Sequence, residues 1–319
     1  MIRLEFDVGL QYAVSSPSDF IFNLHAAQTT AQHVVAEHVW SNLPISPVLC
    51  LDPHFGNRLM RARAVPGNVD VHYDATVDIE HSLSDTSSIG EIPVEKLPPE
   101  VLPYLLPSRY CQSDRLGTVC SEEFAHLPRG YARVETISRW VRQRTRFAPG
   151  TTTSATTALD TLADKQGVCR DYAHLMIALC RAANIPARFV TGIDYGADPA
   201  LGPADFHAYV EAYLANRWYL FDPTDISPTT GLLRIGTGRD AADVSFATIF
   251  GSVRCGPPVI SIRAIVDSAQ GLLAPERTDY AVSTADTVLH TPALRLVCPT
   301  PAQVPFVAIH QPESRRQYG

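Results

Sequence analysis

The sequence predicts an α+β fold, and three observations carry the prediction. Residues 1–83 alternate apolar and polar side chains with the period of two that a half-buried strand requires. Residues 84–118 contain Pro93, Pro98, Pro99, Pro103 and Pro107, a density that forbids a long helix or a central strand. From about residue 119 the apolar period lengthens to that of a helix, and strand patterns follow it. The chain therefore divides into a β-rich N-terminal domain (1–83), a proline-rich connector (84–118), a helix-and-strand core (119–270) and a C-terminal extension with a polar tail (271–319).

In the first region the strand patterns are Leu4, Phe6 and Val8, then residues 20–24, 32–39 and 69–79, with Phe55-Gly56-Asn57 as a turn signal. The connector segment 104–111 is apolar enough to pack against a domain. Val134, Ile137 and Val141, with Trp140, recur at helical spacing and stop near Pro149-Gly150. Ala158, Leu159 and Leu162 mark a second helix. A third opens at Cys169 and runs through the apolar stretch 175–183 to Asn184-Ile185-Pro186, where the proline stops it. Strand-like segments at 188–193, 206–214, 217–222 and 259–266 complete the core.

Composition excludes several function classes. With 26 Lys and Arg against 33 Asp and Glu, the net charge of −7 argues against a nucleic-acid partner. The densest basic run, Arg139 to Arg146, reads as a solvated helix face. No apolar run reaches the roughly 18 residues of a membrane-spanning helix, so no membrane partner is expected. The opening MIRLEFDVGL carries Glu5 and Asp7 within its alternation and reads as a strand, not a leader. The seven cysteines are odd in number and form no C-x-x-C pair, which suggests neither a disulfide framework nor a zinc knuckle. His33 and His38 lack the H-E-x-x-H pattern. No metal and no cofactor are expected, and a reducing, cytoplasmic location is.

One constellation carries chemistry. Cys169 follows Gly167-Val168 and opens a helix, where the dipole and free N–H groups favour a thiolate and offer donors to an oxyanion. Cys180, inside the apolar run, is its structural counterpart. His207 lies in the alternating segment 206–214, sharing a face with Tyr209, Glu211 and Tyr213. If Ala215-Asn216 is a two-residue hairpin turn, Leu214 pairs with Arg217 and Tyr209 with Asp222. Asp222 then falls diagonal to His207 on one face, within reach of a hydrogen bond that orients the imidazole. His174 is expected to be a helix-packing residue, and Asp171 to bond to backbone near the helix start. Asp205 and Glu211, which flank the histidine, are solvent-exposed by default or could contact a substrate.

Gly167-Val168-Cys169-Arg170-Asp171-Tyr172-Ala173-His174, with Gly192, Phe206-His207-Ala208-Tyr209-Val210-Glu211 and Trp218-Tyr219-Leu220-Phe221-Asp222-Pro223-Thr224, resembles the transglutaminase-like superfamily. The match is closer still to its bacterial cysteine-peptidase members, which carry a β-rich N-terminal domain. The resemblance implies a papain-like core of helices packed on an antiparallel sheet. It implies Cys169 as nucleophile, His207 as general acid/base and Asp222 as the residue that orients the imidazole, with Tyr209 where a tryptophan is more common. Trp140 is the nearest candidate for a second oxyanion donor. The implied activity is acyl transfer on amide bonds through a thioester, with hydrolysis of a peptide or protein substrate favoured. Transglutaminase cross-linking to amines and a catalytically silent peptide-binding module are the alternatives. Oligomeric state is not legible.

Overall fold

The computed structural model describes residues 1–43, 47–198 and 204–283. Most of the expected C-terminal extension, with its polar tail, lies outside the described residues. The N-terminal region contains β1 (Ile2–Val14), β2 (Ser18–Phe22), β3 (Gln32–Ser41), β4 (Val48–Leu51), β5 (Arg58–Ala64), β6 (Gly67–Ile79) and β7 (Ser82–Ser84). β1 and β6 pair antiparallel from Ile2 opposite Ile79 to Val14 opposite Gly67, and β3 borders β6. Alternation turns Leu4, Phe6, Val8, Val71 and Tyr73 inward, where all are buried. A second sheet of β2, β5 and β4 adds Phe20, Phe22 and Met60 to the same apolar core. Each such side chain stabilises the fold by roughly 1.5–3 kcal/mol.

The connector is wound into short 3₁₀ turns, one of them Pro99–Leu105. Leu97, Val101 and Tyr104 pack on Tyr213 and Trp218, with the Tyr104 ring edge-on to the indole at 5.2 Å. It is a strap and not a tether.

The core contains α1 (Gly117–Phe124), α2 (Tyr131–Arg144), β8 (Arg146–Phe147), α3 (Ala158–Asp164), β9 (Gln166–Gly167) and α4 (Cys169–Ala182). α3 starts at a capping box in which the Thr157 N–H donates to Asp160 Oδ2 at 2.9 Å, satisfying a donor that the helix leaves free. α4 is the axis of the core: Leu175, Ile177, Leu179 and Cys180 are fully buried and share a cluster with Val134, Ile137 and Val141 of α2. It stops before Asn184, which turns left-handed at φ 59°, ahead of Pro186.

On the other side of α4 lies a sheet of β10 (Ala187–Asp194), β11 (Phe206–Leu214), β12 (Arg217–Phe221) and β13 (Leu232–Gly238), all antiparallel in the order β12-β11-β10-β13. Ala208, Val210, Ala212 and Leu214 of β11 join the α4 cluster. Helices packed on an antiparallel sheet, preceded by a β-rich region, is the α+β architecture expected.

The core boundary expected at residue 270 needs correction. β14 (Ala247–Phe250) pairs with β2, and β15 (Val253–Cys255) and β16 (Val259–Ile265) pair with β1. These strands complete the N-terminal sheets. The reason is physical: β1 has an edge to satisfy beyond its partner β6, and alternation within 259–266 says nothing about which sheet it joins. β17 (Ala281–Ser283) returns to pair with β7.

Candidate active site

The site is built where α4 begins. β9 pairs in parallel with β8, Phe147 opposite Gly167, and this fixes the chain as it enters the helix. A side chain at 167 would place its Cβ 2.7 Å from Asp171 Cβ, so only glycine fits. Asp171 occupies that space because it folds back on the helix start. Its Oδ2 accepts the Val168 N–H at 2.9 Å and the Thr152 hydroxyl at 2.7 Å. Valine has no side-chain acceptor, so this is one half of a capping box. Arg170 lies 3.3 Å from Asp171 Oδ1 and also donates to Thr153 O at 3.0 Å, tying the loop before the helix to its first turn. Asp171 thus holds backbone near the helix start, as expected.

Cys169 is the first residue of α4 and is half-buried, with Sγ 4.0 Å from Phe206 O. His207, one residue along β11, is 3% exposed. The β11–β12 hairpin has the register the two-residue turn predicts, with Leu214 opposite Arg217 and Val210 opposite Phe221. Ala215 and Asn216 both take positive φ, 44° and 62°, as a primed turn demands. Asp222 follows directly after β12, and His207 Nε2 stands 3.2 Å from Asp222 Oδ2. Neither atom completes a well-directed hydrogen bond, so the contact is an ion pair with the ring N–H aimed off the oxygen.

The other Asp222 oxygen is fully engaged: Oδ1 accepts the Thr224 N–H at 2.9 Å and its hydroxyl at 2.6 Å. Burial pushes the Asp222 carboxyl up. The charge and hydrogen-bonding capacity of His207, with the Thr224 donors, outweigh it and hold the group below the usual carboxylate range. Burial likewise pulls His207 down, but Asp222 and then the neighbouring Cys169 thiol hold the imidazole well above its ordinary value. The structure therefore brings all three sequence-selected residues together.

Other expectations fare differently. Trp140 has its indole N–H engaged elsewhere: it donates to Glu123 Oε2 at 2.8 Å, and its ring lines a 310 Å³ cavity with Arg144 and Leu175. That donor is already used. Glu211 is not exposed but fully buried, paired with Arg188 at 2.6 Å and with Arg234. His174 is buried as a packing residue, stacked on Tyr110 at 4.9 Å, and accepts the Ala241 N–H at 3.2 Å. Burial, with the charges of Arg170 and Arg181, holds its imidazole well below the usual value. Cys180 is fully buried, and its thiol is pushed up by that burial. Sequence reasoning missed Thr224, although Asp-Pro-Thr carries a recognisable side-chain-to-backbone turn signal. Among the described residues no group of three or more His, Cys, Asp or Glu side chains could hold a metal ion, and no helix is long and apolar enough to cross a membrane.

Comparison with known proteins places this geometry. Residues 121–223 match the family described as the transglutaminase-like superfamily, and residues 2–100 match the bacterial transglutaminase N-terminal domain. The crystal structure of a "putative cysteine protease" from Cytophaga hutchinsonii is 36% identical with a TM-score of 0.82, over 88% of this chain and 97% of that one. The chain belongs to the transglutaminase-like superfamily. Membership supports cysteine-based acyl transfer as the general chemistry and accounts for the α4–β11–β12 arrangement. Among curated relatives, an uncharacterized protein of Mycobacterium leprae is 35% identical over 125 residues, which is 38% of this chain. An uncharacterized protein of Mycobacterium tuberculosis is 32% identical over 109 residues, 31% of this chain. These alignments span 44% and 35% of the relatives' own lengths, respectively.

Proposed function

We propose that this transglutaminase-like protein is a cysteine-dependent amidase or peptidase in which Cys169, His207 and Asp222 act together. The observation that supports it is a thiol at the first position of α4, beside an imidazole whose Nε2 is 3.2 Å from a buried carboxylate. With Nε2 turned to Asp222, Nδ1 is the nitrogen left for the thiol. There it takes the thiol proton, and Asp222 sustains the imidazolium that forms beside the thiolate.

In the first step the thiolate attacks an amide carbonyl carbon, a C–S bond forms, and the π electrons move to oxygen. The backbone N–H of Cys169, at the positive end of α4, stabilises that oxyanion. The oxyanion collapses, the C–N bond breaks, and Nδ1–H protonates the departing amine, leaving a thioester and a neutral imidazole. In the second step water attacks the thioester while Nδ1 takes its proton. The C–S bond then breaks, releasing the acid and restoring the thiolate–imidazolium pair. Water as acceptor follows the protease name of the Cytophaga hutchinsonii relative. An amine in place of water would give transamidation by the same two steps. The cytoplasm, where thiols stay reduced, is the compartment we assign to this chemistry.

The test is a mass-spectrometric screen of peptide and amine mixtures with the full chain and with Cys169→Ala. Hydrolysed amides that appear only with the unaltered protein are the expected result. New isopeptide bonds would replace hydrolysis by cross-linking. Turnover that survives Cys169→Ala, or Cys169 alkylating with iodoacetamide no faster than Cys180, would sink the reading.

A further inference from the structure

The end of the central sheet that carries His207 also carries two carboxylates that the proposed chemistry does not use. The β10–β11 register sets Gly192 opposite His207 and Ile193 opposite Phe206. Continued by one residue, it sets Asp194 opposite Asp205. Directly opposed residues share a face, and alternation puts Asp205 on the face of His207. Two aspartates therefore stand side by side one step beyond the imidazole.

Like charges opposed across strands are destabilising, and at Asp205 the Phe206 N–H and the charge of His207 offset this only in part. Neither Asp194 nor Asp205 forms an ion pair among the described residues, which include no lysine or arginine acting on Asp205. Asp194 is 7% exposed, and its Oδ2 is buried with no hydrogen-bond partner. A buried, unpartnered carboxylate oxygen costs free energy that a folded protein ordinarily avoids. The outer member stays within reach of solvent. Partial burial and then the charge of Asp194 hold the Asp205 carboxyl above its usual range, against the Phe206 N–H at 2.7 Å and the charge of His207. The three groups thus lie close enough to act on one another electrostatically.

We propose that Asp194 and Asp205 form a subsite for a primary ammonium group on the substrate, held within about one residue's length of the carbonyl that Cys169 attacks. This rests on the reading of Cys169 as nucleophile. An ammonium group supplies what the pair lacks: one positive charge and three donors, enough to reach both carboxylates. The ammonium is either the free amino group of an aminoacyl amide or the distal charge of a diamine-like leaving group or acceptor. Asp194 and Asp205 are specificity-determining residues and take no proton in the reaction.

A probe that needs no known substrate tests the charge. Methanethiosulfonates convert a thiolate to a disulfide, releasing methanesulfinate. The full chain is treated with the 2-ammonioethyl and the 2-sulfonatoethyl reagents, and modification is read by mass spectrometry at Cys169 and at exposed Cys255. The cationic-to-anionic rate ratio should be about tenfold higher at Cys169 than at Cys255. It should fall several-fold at Cys169 alone in Asp205→Asn and further in Asp194→Asn/Asp205→Asn. A reactive Cys169 whose ratio equals that of Cys255, or whose ratio survives both substitutions, overturns the inference but leaves the nucleophile standing. A Cys169 as inert as Cys180 removes the nucleophile first, and the inference with it. Asp205→Asn should also raise thermal stability, because relieving the repulsion stabilises the free protein.

The source of the ammonium group is read from two matched pairs. Asp205→Asn should lower the turnover ratio of glycine 4-nitroanilide to propionyl 4-nitroanilide if the charge sits on the acyl side. It should lower the cadaverine-to-hexylamine ratio as acceptors if the charge sits on the amine side. Neither ratio moving overturns the inference.

Discussion

His207 and Glu211 lie four residues apart on one strand and face the same way, yet their surroundings differ in kind. Glu211 is surrounded by cations: Arg188 holds one oxygen at 2.6 Å and Arg234 the other, while Arg188 also lies 4.2 Å over the Trp218 ring. Each carboxylate oxygen has a charged donor beside it, and the group is fully buried. Asp222, at the His207 end, has one oxygen saturated by Thr224 and the other turned to a single imidazole at 3.2 Å and imperfect angle. The difference teaches what to look for in a buried charge. A carboxylate with both oxygens fully matched reads as architecture, and one with a single loosely matched oxygen reads as chemistry.

The largest effect that sharpens this contrast is chemical. Cys169→Ala should lower acyl transfer by about 10⁴-fold or more while urea unfolding moves by less than about 1 kcal/mol, since the side chain is small and half-buried. At the architectural end Glu211→Ala should cost about 3–5 kcal/mol in urea unfolding, because Arg188 and Arg234 would each lose a carboxylate partner inside the protein. If Glu211→Ala were neutral and Cys169→Ala unfolded the protein, the contrast would be reversed.

Asp222→Asn probes the functional end at intermediate strength. Asp222 raises His207, so the substitution should lower the histidine's titration midpoint, read from its Cε1–H resonance by NMR. The stability consequence has a definite sign. A carboxylate held low contributes stability above its unfolded value and loses it as pH falls through the folded one. An imidazole held high contributes below its unfolded value and loses it as pH rises through the folded one. The stability gap between wild type and Asp222→Asn should therefore be widest between about pH 4 and pH 6.5 and narrow on both sides. A gap that grew steadily toward high pH would contradict the pairing.

The smallest expected effect belongs to Thr224, a positioning residue. Thr224→Val removes the hydroxyl donor but keeps the backbone one, so Asp222 should swing more freely. A loss of about 3- to 10-fold in kcat with little change in KM is expected. Thr224→Ser should restore it, which a purely structural role for the methyl group would not allow.

Much of the site was legible in sequence because it depends on short-range rules. A glycine two residues before the cysteine, an apolar run after it and a two-residue turn between alternating strands are local patterns, and each survived folding. Ala215 is the instructive case: nothing in alanine favours φ of 44°, so the register was readable from strand alternation and not from turn chemistry. What was not legible depends on partners distant in sequence. The buried state of Glu211 needs Arg188 from the adjacent strand β10 and Arg234 from β13 beyond it, and the engaged N–H of Trp140 needs Glu123 from α1. Asp194 drew no notice because its opposition to Asp205 exists only once β10 and β11 are paired.

Because β14, β15 and β16 close sheets that begin at β1 and β2, the helical core is an insertion between two halves of a β-sandwich. The ribosome makes β1 about 250 residues before its neighbour β16, with Arg3 finding Ile265. At roughly 5–20 residues per second, the sandwich waits on the order of 10–50 s with its outer edge unpaired. During that interval the nascent chain is open to strand addition from another copy. A fragment cut at residue 240 keeps that vulnerability permanently, so truncations designed to isolate the core would also leave half a sandwich behind. Both ends of the insertion are also anchored to one scaffold. The core therefore cannot drift from the sandwich as a separate hinged body would, and its loss of structure should be felt in β1.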